Sequence, residues 1–298
     1  LHVRSRRQRQ MCIRDSTEAE AEMNPHSPAP VSLLSLIKSV WSNWHLIQQM
    51  TKRDVIGRYK GSMMGILWSF ANPILLLVIY TLVFSVVFKA RWGTGEPGSK
   101  GEFAILLFTG MIVHSLFAET LTRAPTLILS NVSYVKKVVF PLEILPIIAM
   151  GTSFFHALVS IGVLLVAQLL VHGTIPWTVV FLPLVIAPLI VLSLGLAWIL
   201  ASLGVYLRDV AHPIGLLMTL LLFASPVFYP ISALPVEIQP WLMLNPLTFI
   251  IEQARAILIS GSMPNFAGLA VYAVVALSFA WAGYGWFQKT RKGFANVL

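Results

Sequence analysis

Charged residues are scarce in this sequence, and cysteine is nearly absent. Asp, Glu, Lys and Arg make up 11% of the 298 residues, whereas soluble proteins carry about 25%. Hydrophobic residues make up 57%. The single cysteine, Cys12, excludes a disulfide framework and a cysteine-based metal site. The composition therefore predicts an integral membrane protein that is stabilised without covalent cross-links.

Motifs of nucleotide-binding and catalytic sites are missing as well. The chain contains no G-x-x-x-x-G-K-[ST] loop, no zinc-like cluster of His and Glu and no nucleophile elbow. We therefore expect no catalytic residue, no metal and no cofactor in this chain, and no nucleic-acid partner. Any work driven by ATP must come from another chain.

Long apolar runs divide most of the chain into segments that can cross a membrane. A crossing helix needs about 20 apolar residues, and six runs approach that length. They are residues 66–88, 103–121, 142–171, 179–206, 213–227 and 267–287. The sequence thus predicts an all-α fold with about six transmembrane helices.

The stretch between the fifth and sixth spans is apolar but contains several prolines, which exclude a further crossing helix. A short helix is predicted over residues 247–260. Asn245 suits its cap, Pro246 its first position and Gly261 the left-handed residue beyond its end. We predict a re-entrant helical hairpin that dips in from the outer face.

Three parts are expected along the chain. Residues 1–22 resemble a translated cloning adapter and are predicted to be a non-native leader, with the natural start at Met23. Residues 23–65 form a cytoplasmic segment, whose amphipathic pattern over 33–50 includes Trp41 and Trp44 and predicts a helix in the membrane interface. The alternative is a helix packed on a soluble domain. Residues 66–298 form the transmembrane domain.

Lys and Arg in the short loops fix the predicted orientation. Most of them lie on one side of the membrane when the N-terminus is placed inside, as the positive-inside rule prefers. An even number of spans then brings the basic C-terminal tail inside too. Both termini are expected in the cytoplasm.

Four groups of residues, in order along the chain, are typical of one family of export permeases. They precede the first span, open the third, join the fourth to the fifth and follow the fifth. The groups are Arg53-Asp54, Arg58-Tyr59-Lys60-Gly61-Ser62, Gly65, Leu67-Trp68 and Asn72-Pro73; Asn131, Lys136-Lys137, Phe140-Pro141 and Glu143-Ile144-Leu145-Pro146; Tyr206-Leu207-Arg208-Asp209; and Ser225-Pro226-Val227-Phe228-Tyr229-Pro230, Leu244-Asn245-Pro246 and Glu252. In these residues the chain resembles the ABC-2 type permeases, specifically their polysaccharide branch.

The resemblance implies a homodimer in the bacterial inner membrane, surrounded by lipid and joined to two copies of a cytoplasmic ABC ATPase that binds ATP and Mg. Its implied cargo is a polysaccharide on a polyprenyl-pyrophosphate carrier, of the O-antigen or capsule type. ATP binding would pull the cytoplasmic coupling segments together and separate the first and fifth spans at the dimer seam, with the outer hairpin as a gate.

Candidate site residues follow from this resemblance and from their positions. For ATPase coupling they are Arg123, Asn131, Lys136, Lys137, Arg208 and Asp209. Their alternative role is to fix topology and contact anionic headgroups. For the lipid pyrophosphate or headgroup they are Arg58, Tyr59 and Lys60, whose alternative role is anchoring by snorkelling.

Two further groups lie in or near the spans. Tyr80, Phe84 and Phe88 recur every four residues and predict an aromatic ladder for sugar rings, or else ordinary packing. The outer gate comprises Pro226, Phe228, Tyr229, Pro230, Asn245, Pro246, Glu252 and Arg255. Glu252 and Arg255 are three apart on one helix, so an ion pair that holds the hairpin in shape is our preferred interpretation.

Ionisable residues within membrane segments indicate function, because a charge near the bilayer centre costs at least about 2.5 kcal/mol. Besides Glu252 and Arg255, the candidates are His114, Glu119 and His156, and we expect His156 to be neutral and hydrogen-bonded.

Other functions remain open. An ABC-2 permease for teichoic acid, a drug or a lipid is the nearest rival. A membrane-embedded glycosyltransferase would need acidic residues for a divalent ion, and Asp54, Glu143 and Asp209 are too dispersed for that. A passive channel is disfavoured because no selectivity-filter repeat is evident.

Overall fold

The described residues of this computed structural model are 33–83, 100–136 and 140–298, and every regular element in them is helical. The predicted leader, residues 1–22, lies outside them, as do Phe84, Phe88 and Lys137. The helices of ten or more residues are α1 (Leu33–Ser42), α2 (Trp44–Tyr59), α3 (Trp68–Tyr80), α4 (Lys100–Arg123), α5 (Leu145–His172), α6 (Leu182–Tyr206), α7 (Ala211–Ala224), α8 (Pro246–Leu258) and α9 (Phe266–Thr290). Shorter helical segments are Gly65–Leu67, Ala124–Thr126, Leu129–Asn131, Val132–Lys136, Leu142–Ile144, Trp177–Phe181, Arg208–Val210, Ile231–Ala233, Gln239–Leu242, Arg291–Gly293 and Phe294–Val297. The all-α prediction is confirmed.

Among the described residues, five helical stretches are long and apolar enough to cross a membrane. They are Gly65–Val83, Gly101–Thr126, Leu142–His172, Trp177–Tyr206 and Phe266–Val297. These correspond to the predicted first, second, third, fourth and sixth spans.

The predicted fifth span differs, because α7 contains only 14 residues. At about 1.5 Å per residue it covers about 21 Å, less than the roughly 30 Å of a hydrocarbon core. Its end comes before the predicted Val227 because Ser225 precedes Pro226 and is extended, with φ −99° and ψ 153°.

The first helix and the end of the last long helix lie at the same end of the bundle, which we call the basal end. Glu143 at the start of the third stretch accepts hydrogen bonds from Ser39 of α1 and from Arg291 just after α9, both at 3.0 Å. Five membrane-length stretches alone would place α1 and the end of α9 at opposite ends of the bundle. The sixth passage is therefore made by α7 together with residues 225–265, which lead to the opposite, apical end where α9 begins.

The re-entrant helix α8 is buried in the apical half. The Oδ1 atom of Asn245 accepts a hydrogen bond from the backbone N–H of Leu247 at 3.0 Å, and Pro246 begins the helix, as predicted. Gly261 has a φ of +62°, the left-handed conformation expected beyond the helix end. Thr178 donates to the carbonyl of Ile257, so the end of α8 packs against the start of the fourth stretch. At 13 residues α8 is too short to cross.

The amphipathic segment over 33–50 is two helices rather than one. Asn43 separates α1 from α2, and its side chain donates to the carbonyl of Ser39 at 2.8 Å. Trp41 is 83% exposed, whereas Ile47 and Met50 are buried against the bundle. These three residues belong to the same predicted apolar face, so the bundle covers only part of that face. At the break, the Asn43 side chain bonds a carbonyl that helical backbone bonds also use.

Candidate functional site

A polar cluster forms where α2, α4 and α5 meet at the basal end. Arg58 and Tyr59 end α2, Glu119 lies on α4 and His156 lies on α5. The Nη1 atom of Arg58 lies 2.7 Å from Oε1 of Glu119. Nδ1 of His156 is 3.1 Å from both carboxylate oxygens, and the hydroxyl of Tyr59 is 3.3 Å from Nε2. We call these four residues the basal cluster.

His156 has partners on both ring nitrogens. Nδ1 lies 3.1 Å from Nη1 of Arg58, which can only donate, and 3.1 Å from both Glu119 oxygens, which can only accept, so it accepts from Arg58 when bare and donates to Glu119 when it carries a hydrogen. Nε2 lies 3.3 Å from the hydroxyl of Tyr59. Burial raises the pKa of Tyr59, and the charge of Glu119 raises it further against the opposing charge of Arg58, so this hydroxyl stays protonated. His156 is therefore hydrogen-bonded, as the sequence predicted.

A cavity of about 180 Å³ adjoins the basal cluster between α3, α4 and α5. It has room for several water molecules, each of which occupies about 30 Å³ in the liquid. Asn72 and Ser115 are exposed and stand at its opening between α3 and α4. Besides the basal cluster, the lining residues are Ser69, Asn72, Pro73, Leu76, Phe108, Met111, Ile112, Ser115, Leu116, Ser153, Ala157 and Ser160. The cavity can thus hold a small polar group beside a guanidinium.

A second ion pair ties α2 to the bundle. Arg123 Nη2 contacts Asp54 Oδ2 at 2.5 Å, and the hydroxyl of Thr152 donates to the same oxygen at 2.9 Å. Burial raises the pKa of Asp54, but the hydrogen bonds and charges of Arg123 and its neighbours outweigh this effect and hold the pKa below its ordinary value. Arg123, a candidate for ATPase coupling, therefore directs its guanidinium at α2.

The other predicted coupling residues lie at the basal end. Lys136, Arg208 and Asp209 are exposed, and Asn131 donates to the carbonyl of Leu127 at 2.9 Å.

The segment that contains Asn131 and Lys136 also contacts α2. The side chain of Arg53 donates to the hydroxyl of Tyr134 at 3.2 Å, and the Tyr134 ring stacks on Phe140 with 4.5 Å between centroids. The exposed basal surface is thereby connected to the helix that carries Arg58.

The predicted outer gate is held together by one buried cation. Arg255 donates to the carbonyls of Leu106, Pro226 and Val227 and to Oε1 of Glu252, at 3.1, 2.6, 2.9 and 3.0 Å. The predicted Glu252–Arg255 pair is present. Most of the bonds of Arg255, however, run to backbone carbonyls of α4 and of the turn after α7.

The remaining gate residues surround that turn. Asn245 donates to Ser225 Oγ at 2.8 Å, and Tyr229 donates to the carbonyl of Phe223 at 3.1 Å. The ring of Phe228 stacks on Phe223 at 5.5 Å, and Pro230 precedes the turn at Ile231–Ala233. These contacts fasten residues 225–230 to the end of α7.

Three other candidates have more ordinary surroundings. Tyr80, the one residue of the predicted aromatic ladder within the described ranges, is half-buried against the core. Lys60 is exposed and follows α2. Nε2 of His114 lies 3.0 Å from the carbonyl of Met218 and joins α4 to α7. Within the described ranges no three His, Cys, Asp or Glu side chains gather as a metal site.

Sequence reasoning missed the partners of Glu143 and Glu119. Glu143 was considered only within a motif and as a possible ligand of a divalent ion, although its carboxylate binds Ser39 and Arg291 and its backbone carbonyl accepts from the indole of Trp198 at 3.0 Å. The available signal was a carboxylate at the start of a long apolar run, which requires a cation nearby.

Comparison with known proteins gives a consistent result. The sequence profile of the ABC-2 type transporter family matches residues 45–259. The O-antigen export system permease protein RfbA of Myxococcus xanthus is 29% identical over 269 residues, which cover 89% of this chain and 100% of that protein. Two RfbA proteins of Klebsiella pneumoniae are 27% and 26% identical, each over 85% of this chain and 95% of their own length.

Proposed function

Because this chain belongs to the ABC-2 type transporter family, we propose that it is the membrane subunit of an ATP-driven exporter of O-antigen-type polysaccharide. The observation that carries the proposal is the similarity to three O-antigen export permeases along nearly their whole length. The cargo moves from the cytoplasm across the bacterial inner membrane while linked to a polyprenyl-pyrophosphate carrier.

A separate ABC ATPase, with ATP and Mg bound, supplies the energy at the basal end. The exposed Lys136, Arg208 and Asp209 and the neighbouring segment Leu129–Asn131 form the contact surface. Through Arg53 and Tyr134 this surface contacts α2, so a movement of the ATPase reaches the basal cluster. This chain supplies the path, and its partner hydrolyses ATP.

A second copy of the chain completes that path. The first stretch, Gly65–Val83, and α7 each expose a row of large apolar side chains. They include Leu75 and Ile79 on α3, Leu82 just beyond it, and Leu216, Leu220 and Phe223 on α7. The cavity beside the basal cluster opens between α3 and α4, next to the α3 row. Two copies that meet through these rows would enclose a channel with the cavity in its wall.

Arg58, Tyr59 and Lys60 receive the pyrophosphate at the cytoplasmic end of this channel. A guanidinium binds phosphate oxygens through two parallel hydrogen bonds, which a lysine ammonium cannot do. Polar groups at the cavity opening then meet the first sugar hydroxyls.

Proteoliposomes test the proposal. We expect the chain, reconstituted with its ATPase, to move a lipid-linked O-antigen across the bilayer only when ATP is present, as measured by access of an added glycosidase. The matched control carries an ATPase inactivated in its phosphate-binding lysine. Equal transfer in that control, or transfer of teichoic acid in preference to O-antigen, would refute the proposal.

A further inference from the structure

We propose that Glu119 is a displaceable counter-ion, which holds Arg58 while the site is empty and yields it to the phosphate group of an apolar carrier lipid. This inference rests on the proposed function and adds a role for Glu119 and His156.

Arg58 is the most accessible of the paired arginines in the described parts of the chain. Its side chain is 42% exposed, whereas the side chains of Arg123, Arg291 and Arg255 are 27%, 19% and 5% exposed. Its Nη1 atom lies 2.7 Å from Oε1 of Glu119 and 3.1 Å from Nδ1 of His156. A guanidinium has five N–H donors, more than these contacts use, so others can turn to a ligand.

Glu119 can lose Arg58 without being left unpaired. A buried carboxylate stripped of its partner is strongly unfavourable. Here both oxygens of Glu119 also face Nδ1 of His156, and the exposed fraction of its side chain is 21%. The histidine is thus a reserve partner that takes over the carboxylate.

His156 is the hydrogen-bond partner that remains beside Glu119 when Arg58 turns away. The charged and titratable side chains that face His156 are Arg58 and Tyr59 from α2 and Glu119 from α4, while α3 contributes the uncharged Ser69 and Asn72 to the cavity. With the phosphate on Arg58, Nδ1 of His156 carries its hydrogen and donates it to the Glu119 carboxylate, both oxygens of which lie 3.1 Å away. Nε2 of this neutral tautomer accepts from the hydroxyl of Tyr59, 3.3 Å away.

A phosphate competes well for Arg58. It offers three or more acceptor oxygens and, as a diphosphate, more negative charge than one carboxylate. The cavity of about 180 Å³ beside Arg58 can accept those oxygens, with the amide of Asn72 at its opening. Lys60, two residues along and exposed, supplies a second cation.

Binding of farnesyl diphosphate to the full chain in phosphatidylcholine nanodiscs tests the inference. Glu119→Gln keeps the shape of the side chain and removes the competing charge, so we expect affinity about tenfold tighter than in the unchanged chain. Arg58→Gln should weaken binding at least tenfold. Glu143→Gln is the matched control, because it alters another basal ion pair away from the cavity and should leave the affinity unchanged.

The direction of the Glu119→Gln effect separates this role from a purely structural one. Loss of a structural contact would weaken binding of farnesyl diphosphate, whereas loss of a competing charge strengthens it. His156→Gln removes the reserve partner and should weaken binding, which provides a second test if Glu119→Gln folds poorly.

The outcomes distinguish the inference from the proposed function. If the unchanged chain does not bind farnesyl diphosphate, or binds farnesol as well, the carrier-lipid part of the proposed function fails. If it binds but Glu119→Gln has equal or weaker affinity, only the counter-ion role is overturned. Competition by phosphatidylglycerol at equal affinity would overturn the assignment to the carrier lipid.

Discussion

At the scale of single residues, carboxylates at the basal end act as ties between distant parts of the chain. Glu143 accepts hydrogen bonds from Ser39 of α1 and from Arg291 just after α9. Asp54 of α2 forms an ion pair with Arg123 of α4. Charges this close to hydrocarbon are costly when isolated. Each is therefore held by a partner, and the partners determine where the amphipathic helices lie.

Asp54 predicts how one of these ties responds to acid. Its pKa in the folded protein lies below the ordinary value of 3.8. A carboxyl with a lowered pKa contributes stability that is complete above the unfolded value and is lost as pH falls through the folded value. We therefore expect the melting temperature of the unchanged chain to exceed that of Asp54→Asn at neutral pH, with a gap that closes below about pH 4.

Thermal unfolding in detergent between about pH 7 and pH 3 measures this gap. Glu237→Gln is the control, because Glu237 is exposed and should follow the unchanged chain throughout. A gap that stayed constant down to the lowest pH would show that the carboxylate charge of Asp54 is not what stabilises the tie.

Local sequence signals predicted the residue-scale features that depend on near neighbours. The Asn245 cap and the Glu252–Arg255 pair join residues two or three apart, so spacing alone indicates them. The contacts of Arg58 with His156 and of Glu143 with Arg291 join residues 98 and 148 positions apart. Such pairs depend on helix packing, which a pattern in a single sequence does not specify.

At the scale of elements, α6 and α9 approach closely because two glycines face each other. A Cβ atom on Gly283 would lie 2.1 Å from the carbonyl oxygen of Gly195, and one on Gly195 would lie 2.7 Å from the backbone of Phe279 and Ala280. Membrane helices gain most of their mutual stability from such close van der Waals contact. Glycine is therefore required at positions 195 and 283 for the two helices to pack this closely.

Gly283→Ala should force these two helices apart. Overpacking of this kind costs about 1–3 kcal/mol, so we expect a lower free energy of unfolding. Gly162→Ala on α5 is the matched control, because a Cβ atom there meets nothing within 4 Å. It should be neutral or stabilise by up to about 1 kcal/mol. Equal stability of the two variants, measured by denaturant unfolding in mixed micelles, would contradict the close crossing.

Hydrophobic runs predicted the long helices well and α7 less well. Residues 142–171 and 179–206 match stretches Leu142–His172 and Trp177–Tyr206 within two residues, because run length alone defines a crossing. The run over 213–227 is equally apolar but includes the Ser225-Pro226 step that ends the helix. The residues of this run after Ser225 form the turn whose backbone carbonyls Arg255 binds. The turn therefore depends on α8, a helix more than 25 residues further along the chain.

At the scale of the whole molecule, cations gather at the basal end. Exposed basic side chains there belong to Lys38, Lys52, Arg53, Lys60, Lys136, Arg208, Lys289 and Lys292. Flanking Lys and Arg remain in the cytoplasm during insertion. The positive-inside rule therefore predicts that the basal end is the cytoplasmic end, where the proposed ATPase would reach α2 and the basal cluster.

This arrangement predicts the position of both termini relative to the membrane. Glu143 binds one residue of α1 and one just after α9, so α1 and the end of α9 lie on the same side of the membrane. The connection 173–176, between α5 and α6, is expected on the opposite side. A reporter enzyme that is active only outside the cytoplasm should be inactive after Leu298 and active when inserted at 173–176. A fluorescent protein that folds only in the cytoplasm should give the reverse pattern at the same two positions. Enzyme activity after Leu298 would place the basal end outside the cell, away from ATP, and would exclude the transport mechanism proposed for this chain.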